Sequence, residues 1–100
     1  MAITNLEGII SQVNNAYCEL IGYSDKELIG LSFKTLTYHD DLEINIDLFR
    51  QLTDGELETY KYKKRYVHKN GNIFWVSMTA SLIKDFRGKP KSVIALFQVQ

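Results

Sequence analysis

Apolar and polar residues alternate most cleanly in the C-terminal half of the chain. Phe74, Val76, Met78, Ala80 and Leu82 fall on one face, and Trp75, Ser77, Thr79, Ser81 and Ile83 on the other. This is the two-residue period of a half-buried strand, here over 72–84. A run rich in Tyr, Thr and Val at 57–69 precedes it, and Asn70-Gly71 lies between the two. Asn-Gly between β-prone runs predicts a hairpin closed by a type I′ turn, whose two central residues both need positive φ. Arg87-Gly88-Lys89-Pro90 marks a second turn. Residues 91–100 read as a third strand, with Val93, Ala95, Phe97 and Val99 on one face and Ile94, Leu96, Gln98 and Gln100 on the other.

The N-terminal half carries the helical signals. Asn5 to Gly8 reads as a turn and Ile9 to Val13 as a short strand. Asn14 is placed to cap a helix whose apolar face is Ala16, Tyr17, Leu20 and Ile21, with Gly22 at its end. Ser24-Asp25-Lys26-Glu27 is a capping box, and the helix it starts stops by Gly30. Asp40 or Asp41 is expected to open a longer helix with Leu42, Ile46, Phe49 and Leu52 as its stripe and Gly55 just past its end. A strand, several short helices and three long antiparallel strands make an α+β domain with its helices on one face of the sheet.

The composition narrows the class. One hundred residues, 45% apolar and 24% charged, suit a single globular domain over 1–100. Lys+Arg and Asp+Glu balance at 12 each, so the basic excess of a nucleic-acid module is missing. The basic cluster Lys61, Lys63, Lys64 and Arg65 stands alone, and no nucleic-acid partner is expected. The single cysteine, Cys18, forms no internal disulfide and no cysteine-based zinc site, which points to the cytoplasm. No apolar run reaches the roughly 18–20 residues of a membrane span, so no membrane insertion is expected.

The residues offer little for catalysis. Gly-x-Ser-x-Gly, the Walker loop and His-Glu-x-x-His do not occur. His39 and His68 read as surface residues. Asp40 and Asp41, being adjacent, would not face one another on a helix and are expected to cap it. We therefore expect no catalytic residue, no metal site and no enzymatic activity in the domain itself.

Several segments, in order, resemble the PAS domain (sensory box) in its large bacterial sensory subgroup. They are Gly8-Ile9-Ile10 with Asn14, then Ala16 through Ser24, Glu27-Leu28-Ile29-Gly30, Asp40-Asp41-Leu42, Arg65-Tyr66, Asn70-Gly71 and Trp75-Val76. Tyr38-His39 stand where the family often has His-Pro, and Lys63 where it often has a carboxylate. The resemblance implies a five-stranded antiparallel sheet with short helices packed on one face. It also implies a sensory or dimerisation module cut from a longer signalling protein, most often a sensor histidine kinase, with a diguanylate cyclase next. The photosensing branch of the family uses an Asn-Cys-Arg motif that this chain lacks, and the haem branch uses a histidine on the long helix, where 42–54 has none. Both points speak against covalent flavin photochemistry and against haem, and leave any cofactor unknown.

What remains is a small molecule held non-covalently. Its candidate pocket joins Tyr17, Ile21, Leu36 and Phe49 from the helices with Phe74, Val76, Met78, Phe97 and Val99 from the sheet, an apolar set that also suits an ordinary core. The strand 57–69 would add Tyr62, Lys64 and Tyr66 on its inward face. An inward Lys64 has two readings. As an edge-strand lysine it would snorkel to water, which is the preferred reading, and otherwise it would reach the cavity mouth and pair with an anionic ligand. Trp75, Ile83, Ile94 and Leu96 on the opposite sheet face need a cover. They are the candidate dimer or linker face, through which the chain is expected to form a homodimer, with its output domain in the same full-length chain.

Overall fold

The computed structural model describes residues 1–100. Five strands, β1 (Ala2–Thr4), β2 (Ile10–Val13), β3 (Thr59–Val67), β4 (Ile73–Lys84) and β5 (Pro90–Val99), form one antiparallel sheet in the order β2-β1-β5-β4-β3. Between β2 and β3 run α1 (Asn15–Ile21), α2 (Asp25–Leu28), α3 (Phe33–Leu36) and α4 (His39–Thr53). The expected α+β architecture is thus the observed one. The three-residue β1, too short to show an alternation in the sequence, places the N-terminus in mid-sheet beside β5.

The helix ends follow the sequence closely. The Asn14 side chain accepts from Tyr17 N–H to start α1, and Gly22 closes it in the left-handed region at φ 86°. Ser24 and Glu27 form the reciprocal capping box of α2. The long helix differs. It begins at His39 with Tyr38 as its cap residue, so neither Asp40 nor Asp41 occupies the cap. Its buried face is Asp41, Asn45 and Leu52, with Leu48 and Phe49 half-buried, while Ile46 is exposed. Two polar side chains thus face inward where the apolar stripe alone placed Leu42 and Ile46. Ala16, expected on the inner face of α1, is exposed beside buried Tyr17 and Ile21.

The hairpins share one turn, and it is not type I′. Gly71 N–H bonds to His68 C=O at 2.8 Å, and only Gly71 has positive φ, at 93°. Asn70 keeps negative φ. The loop is a type I turn completed by a left-handed glycine, the three-residue hairpin connection. Asn5–Gly8 and Asp85–Gly88 repeat it, with glycine N–H bonds of 3.1 and 2.9 Å to the first residue. The second expected turn therefore lies at Asp85–Gly88, and Pro90 already starts β5. In each case the first side chain accepts the N–H two residues on. Asn5 Oδ1 takes Glu7 N–H, His68 Nδ1 takes Asn70 N–H and Asp85 Oδ1 takes Arg87 N–H. A polar acceptor followed three residues later by glycine is therefore the sequence signal of all three turns.

Candidate functional site

The inner sheet face and the helices enclose a cavity of about 30 Å3. That is room for about one or two water-sized groups. Tyr17 from α1, Phe33 from α3, and Asn45 and Phe49 from α4 line one side. Tyr60 and Lys64 from β3, Met78 and Ala80 from β4, and Ala95 and Phe97 from β5 line the other, and β1 and β2 add Ala2, Thr4 and Ile10.

Lys64 is the unusual member. Its neighbours on β3, Lys61 and Lys63, point to water, while Lys64 faces inward and is 1% exposed. It does not snorkel, although β3 is an edge strand. Its inward register is fixed by its pairing with Val76, and the segment Thr37–Tyr38 closes over this end of β3, with Tyr38 N–H on Arg65 C=O at 2.9 Å. The ammonium nitrogen donates to Asn45 Oδ1 at 2.6 Å and to Thr37 Oγ1 at 3.0 Å. The faces of Tyr66 and Phe33 lie 4.6 and 5.5 Å away. Burial, only partly opposed by the field of Asp41, pushes its pKa down to about 7. Unpaired burial of an ion costs several kcal/mol even after relaxation, so the amine yields its proton easily.

The surrounding phenols are held neutral. Burial pushes Tyr17 and Tyr60 up to about 12, and raises Tyr66 well above the usual phenol value. Tyr17 Oη donates to Tyr66 Oη at 3.2 Å, and Asn45 Nδ2 donates to Tyr60 Oη at 3.4 Å. Asp41 is buried next to this network but turned to Arg65. Its carboxylate accepts Arg65 N–H at 2.8 Å, Nε at 2.9 Å and Nη2 at 2.8 Å. The Arg65 side chain holds the Asp41 carboxyl below the usual carboxylate range, with burial opposing. Asp41 is thus a clamp between α4 and β3 rather than a helix cap.

The candidate residues distribute unevenly. Tyr17, Phe49, Lys64, Met78 and Phe97 line the cavity. Ile21, Leu36, Tyr66 and Val76 are buried in the adjoining core cluster, with Phe74 packed against it. Tyr62 reaches sideways, its hydroxyl on Asp41 C=O at 3.0 Å. Val99 does not belong to the pocket. It is the last residue of β5, and its side chain is 60% exposed. The sequence reading missed Phe33, Thr37 and Asn45. The first two sit on or beside a four-residue helix too short to show a period, and Asn45, being polar, lies outside the apolar stripe expected of the long helix.

On the outer face Trp75 and Leu96 are 43% and 54% exposed, and Ile83 and Ile94 are half-buried. The Arg65 guanidinium stacks over the Trp75 ring at 4.7 Å, with Lys63 at 5.5 Å. No helix of the chain is long and apolar enough to cross a membrane.

Known proteins match this arrangement. The family profile of the PAS domain fits residues 1–98. A probable diguanylate cyclase, DgcE, of Escherichia coli (strain K12) is 39% identical over 95 residues, covering 95% of this chain and 9% of that protein. The sensor histidine kinase TmoS of Ectopseudomonas mendocina is 28% identical over 97 residues, covering 96% of this chain and 10% of its own length. The chain therefore spans about a tenth of the length of these multidomain signalling relatives. In fold it superimposes on the PAS domain of a protein from Colwellia psychrerythraea with a TM-score of 0.88 at 22% identity, over 99% of this chain and 83% of that one. The match along residues 1–98, on a five-stranded sheet backed by short helices, shows that the chain belongs to the PAS domain family of signal-sensing modules.

Proposed function

We propose that this PAS domain senses a small molecule held non-covalently between its sheet and helices, and regulates an output domain in a longer cytoplasmic chain, most often a histidine kinase, with a diguanylate cyclase next. The carrying observation is the cavity, which puts a fully buried lysine beside Asn45 and Tyr60 under an otherwise apolar lining. Ala95 and Phe97 of β5 form part of its wall, so occupancy presses on the last strand of the domain. A ligand acts this way only through unequal affinity for two packings of that strand. In this reading the domain performs no chemistry itself.

A second reading, a ligand-free dimerisation module, draws on the exposure of Trp75 and Leu96 beside Ile83 and Ile94. The native mass of the purified chain, set against its denatured mass, separates the two. The sensor reading expects extra non-covalent mass on each protomer. A dimer without added mass, and without thermal stabilisation by any compound of a metabolite library, favours the dimerisation module.

A further inference from the structure

Lys64 forms no ion pair within the protein, and the charge of Asp41 acts on it only at a distance. Both groups that accept from it, Thr37 Oγ1 and Asn45 Oδ1, are neutral. The Thr37 hydroxyl proton is itself committed to Phe33 C=O at 3.0 Å. The nearest acid, Asp41, has both oxygens engaged by Arg65. No carboxylate lines the cavity. An ammonium here keeps a third N–H with no oxygen to receive it, and ring faces offset only part of the penalty of burying an ion.

Tyr60 repeats the imbalance. Its oxygen accepts from Asn45 Nδ2, while its own proton meets no acceptor in the protein. Two donors without acceptors therefore line one mainly apolar cavity. A ligand that completes this site offers acceptors and negative charge at one end and hydrocarbon elsewhere. An oxoanion such as phosphate needs more donors than these walls hold.

We infer that the cavity takes a short-chain monocarboxylate, its carboxylate on Lys64 and Tyr60 and its alkyl group among Phe33, Phe49, Met78 and Phe97. This rests on the reading of the cavity as a ligand site and names its ligand class. The about 30 Å3 open in this structure takes only part of such an acid, so acetate or propionate enters as the flexible Met78 side chain moves aside, and that movement sets how long a chain fits.

Binding is coupled to a proton. The groups facing Lys64 are Asp41 and Asn45 from α4, Thr37, Phe33 from α3, and Tyr60 and Tyr66 from its own strand, and Tyr17 of α1 lines the same cavity. Of these only Asp41 is charged at neutral pH, because burial keeps the three phenols protonated. With the free amine held down to about 7, carboxylate affinity is nearly flat below neutrality. Above it, affinity falls about tenfold per pH unit as the ammonium is lost.

The test titrates the 15N-labelled chain with sodium acetate, propionate and butyrate, and with the corresponding primary amides, against sodium chloride as control. Amide signals of Tyr60, Lys64 and Ala95 report the cavity. At pH 6.5 a carboxylate is expected to saturate the site at least about tenfold more tightly than its amide, and to weaken more than about tenfold by pH 8.5. Lys64→Met abolishes carboxylate binding, and Tyr60→Phe weakens it several-fold. If Lys64→Met does not fold, the pH dependence of the unaltered chain decides. Amides that bind as tightly as carboxylates overturn the charge pairing and leave the cavity a ligand site. Chloride reproducing the shifts also overturns the inference. Absence of saturable shifts with every compound overturns the inference and counts against the site as well.

Discussion

Lys64 Nζ meets Asn45 Oδ1 at 2.6 Å inside the domain, and this contact ties the edge strand β3 to the long helix α4 through a buried amine. The pair explains why a polar residue sits on the inner face of α4. Asn45 accepts from Lys64 through Oδ1 and donates to Tyr60 through Nδ2, so both ends of its amide are engaged within the protein.

The buried amine leaves a signature in stability. Its folded pKa lies below that of the unfolded chain, so between about pH 7 and pH 10 the unfolded state binds more protons and stability rises with pH. Above about pH 10 the trend reverses, because the unfolded tyrosines ionise while Tyr17 and Tyr60 stay protonated to about 12. Relative to Lys64→Met, the unaltered chain is expected to gain a few kcal/mol across pH 7–10. Urea unfolding at intervals of one pH unit measures this, and parallel curves for the two proteins would refute it.

Asp41→Asn loses the carboxylate that Arg65 grips from both its backbone and its side chain. The expected loss is about 2–3 kcal/mol at pH 7, the range for hydrogen bonds to a charged group that is largely buried. The native carboxyl is held low, so its contribution is present above the unfolded aspartate pKa and disappears as pH falls through the lower folded value. The gap between the two proteins should therefore close in acid. A gap that persists unchanged to pH 2 would mean that packing, not charge, is what the substitution removed.

Gly22 and Gly71 both have left-handed backbones, yet their surroundings differ. A Cβ on Gly22 would lie 2.2 Å from His68 Cε1, whereas one on Gly71 meets nothing within 4 Å. Alanine at Gly71 should cost about 1 kcal/mol from backbone strain alone. At Gly22 it must also displace the imidazole, whose Nδ1 accepts the Asn70 N–H in the β3–β4 turn. We expect Gly22→Ala to be at least about 1 kcal/mol the more damaging, with His68→Ala in the same chain restoring part of the loss. Equal effects in thermal unfolding would show that the ring moves freely.

The outer sheet face gives the prediction on assembly. Leu96 of β5 is 54% exposed, opposite Thr79 of β4 and lining an open groove of about 630 Å3. If that face joins two copies, sedimentation at tens of micromolar finds dimers, and Leu96→Glu yields monomers of unchanged thermal stability. A monomer in the unaltered chain would remove the dimer from the proposal and leave the cavity untouched.

Much of the frame was legible because local chemistry dictated it. The alternation from Phe74 to Leu82 located β4 and its inner face, and Asn14, Gly22 and Ser24 marked helix ends that the structure keeps. The site was only half legible. Its apolar walls follow from strand period, but its polar centre depends on contacts between residues 19 and 27 positions apart, Asn45 with Lys64 and Thr37 with Lys64. Binary patterning assigns such residues to water. The start of α4 was misread for a related reason, since two adjacent aspartates look like caps until Arg65, 24 positions away, takes one of them.

The central claim is that Lys64 is a buried amine awaiting an anion. Its side-chain nitrogen can be followed directly, by 15N-lysine labelling and NMR titration with and without propionate, Lys64→Met supplying the assignment. The account predicts a midpoint near 7 for the free chain, rising by about one pH unit or more when propionate is saturating. A midpoint at the ordinary lysine value, or one near 7 that propionate leaves in place, would contradict it.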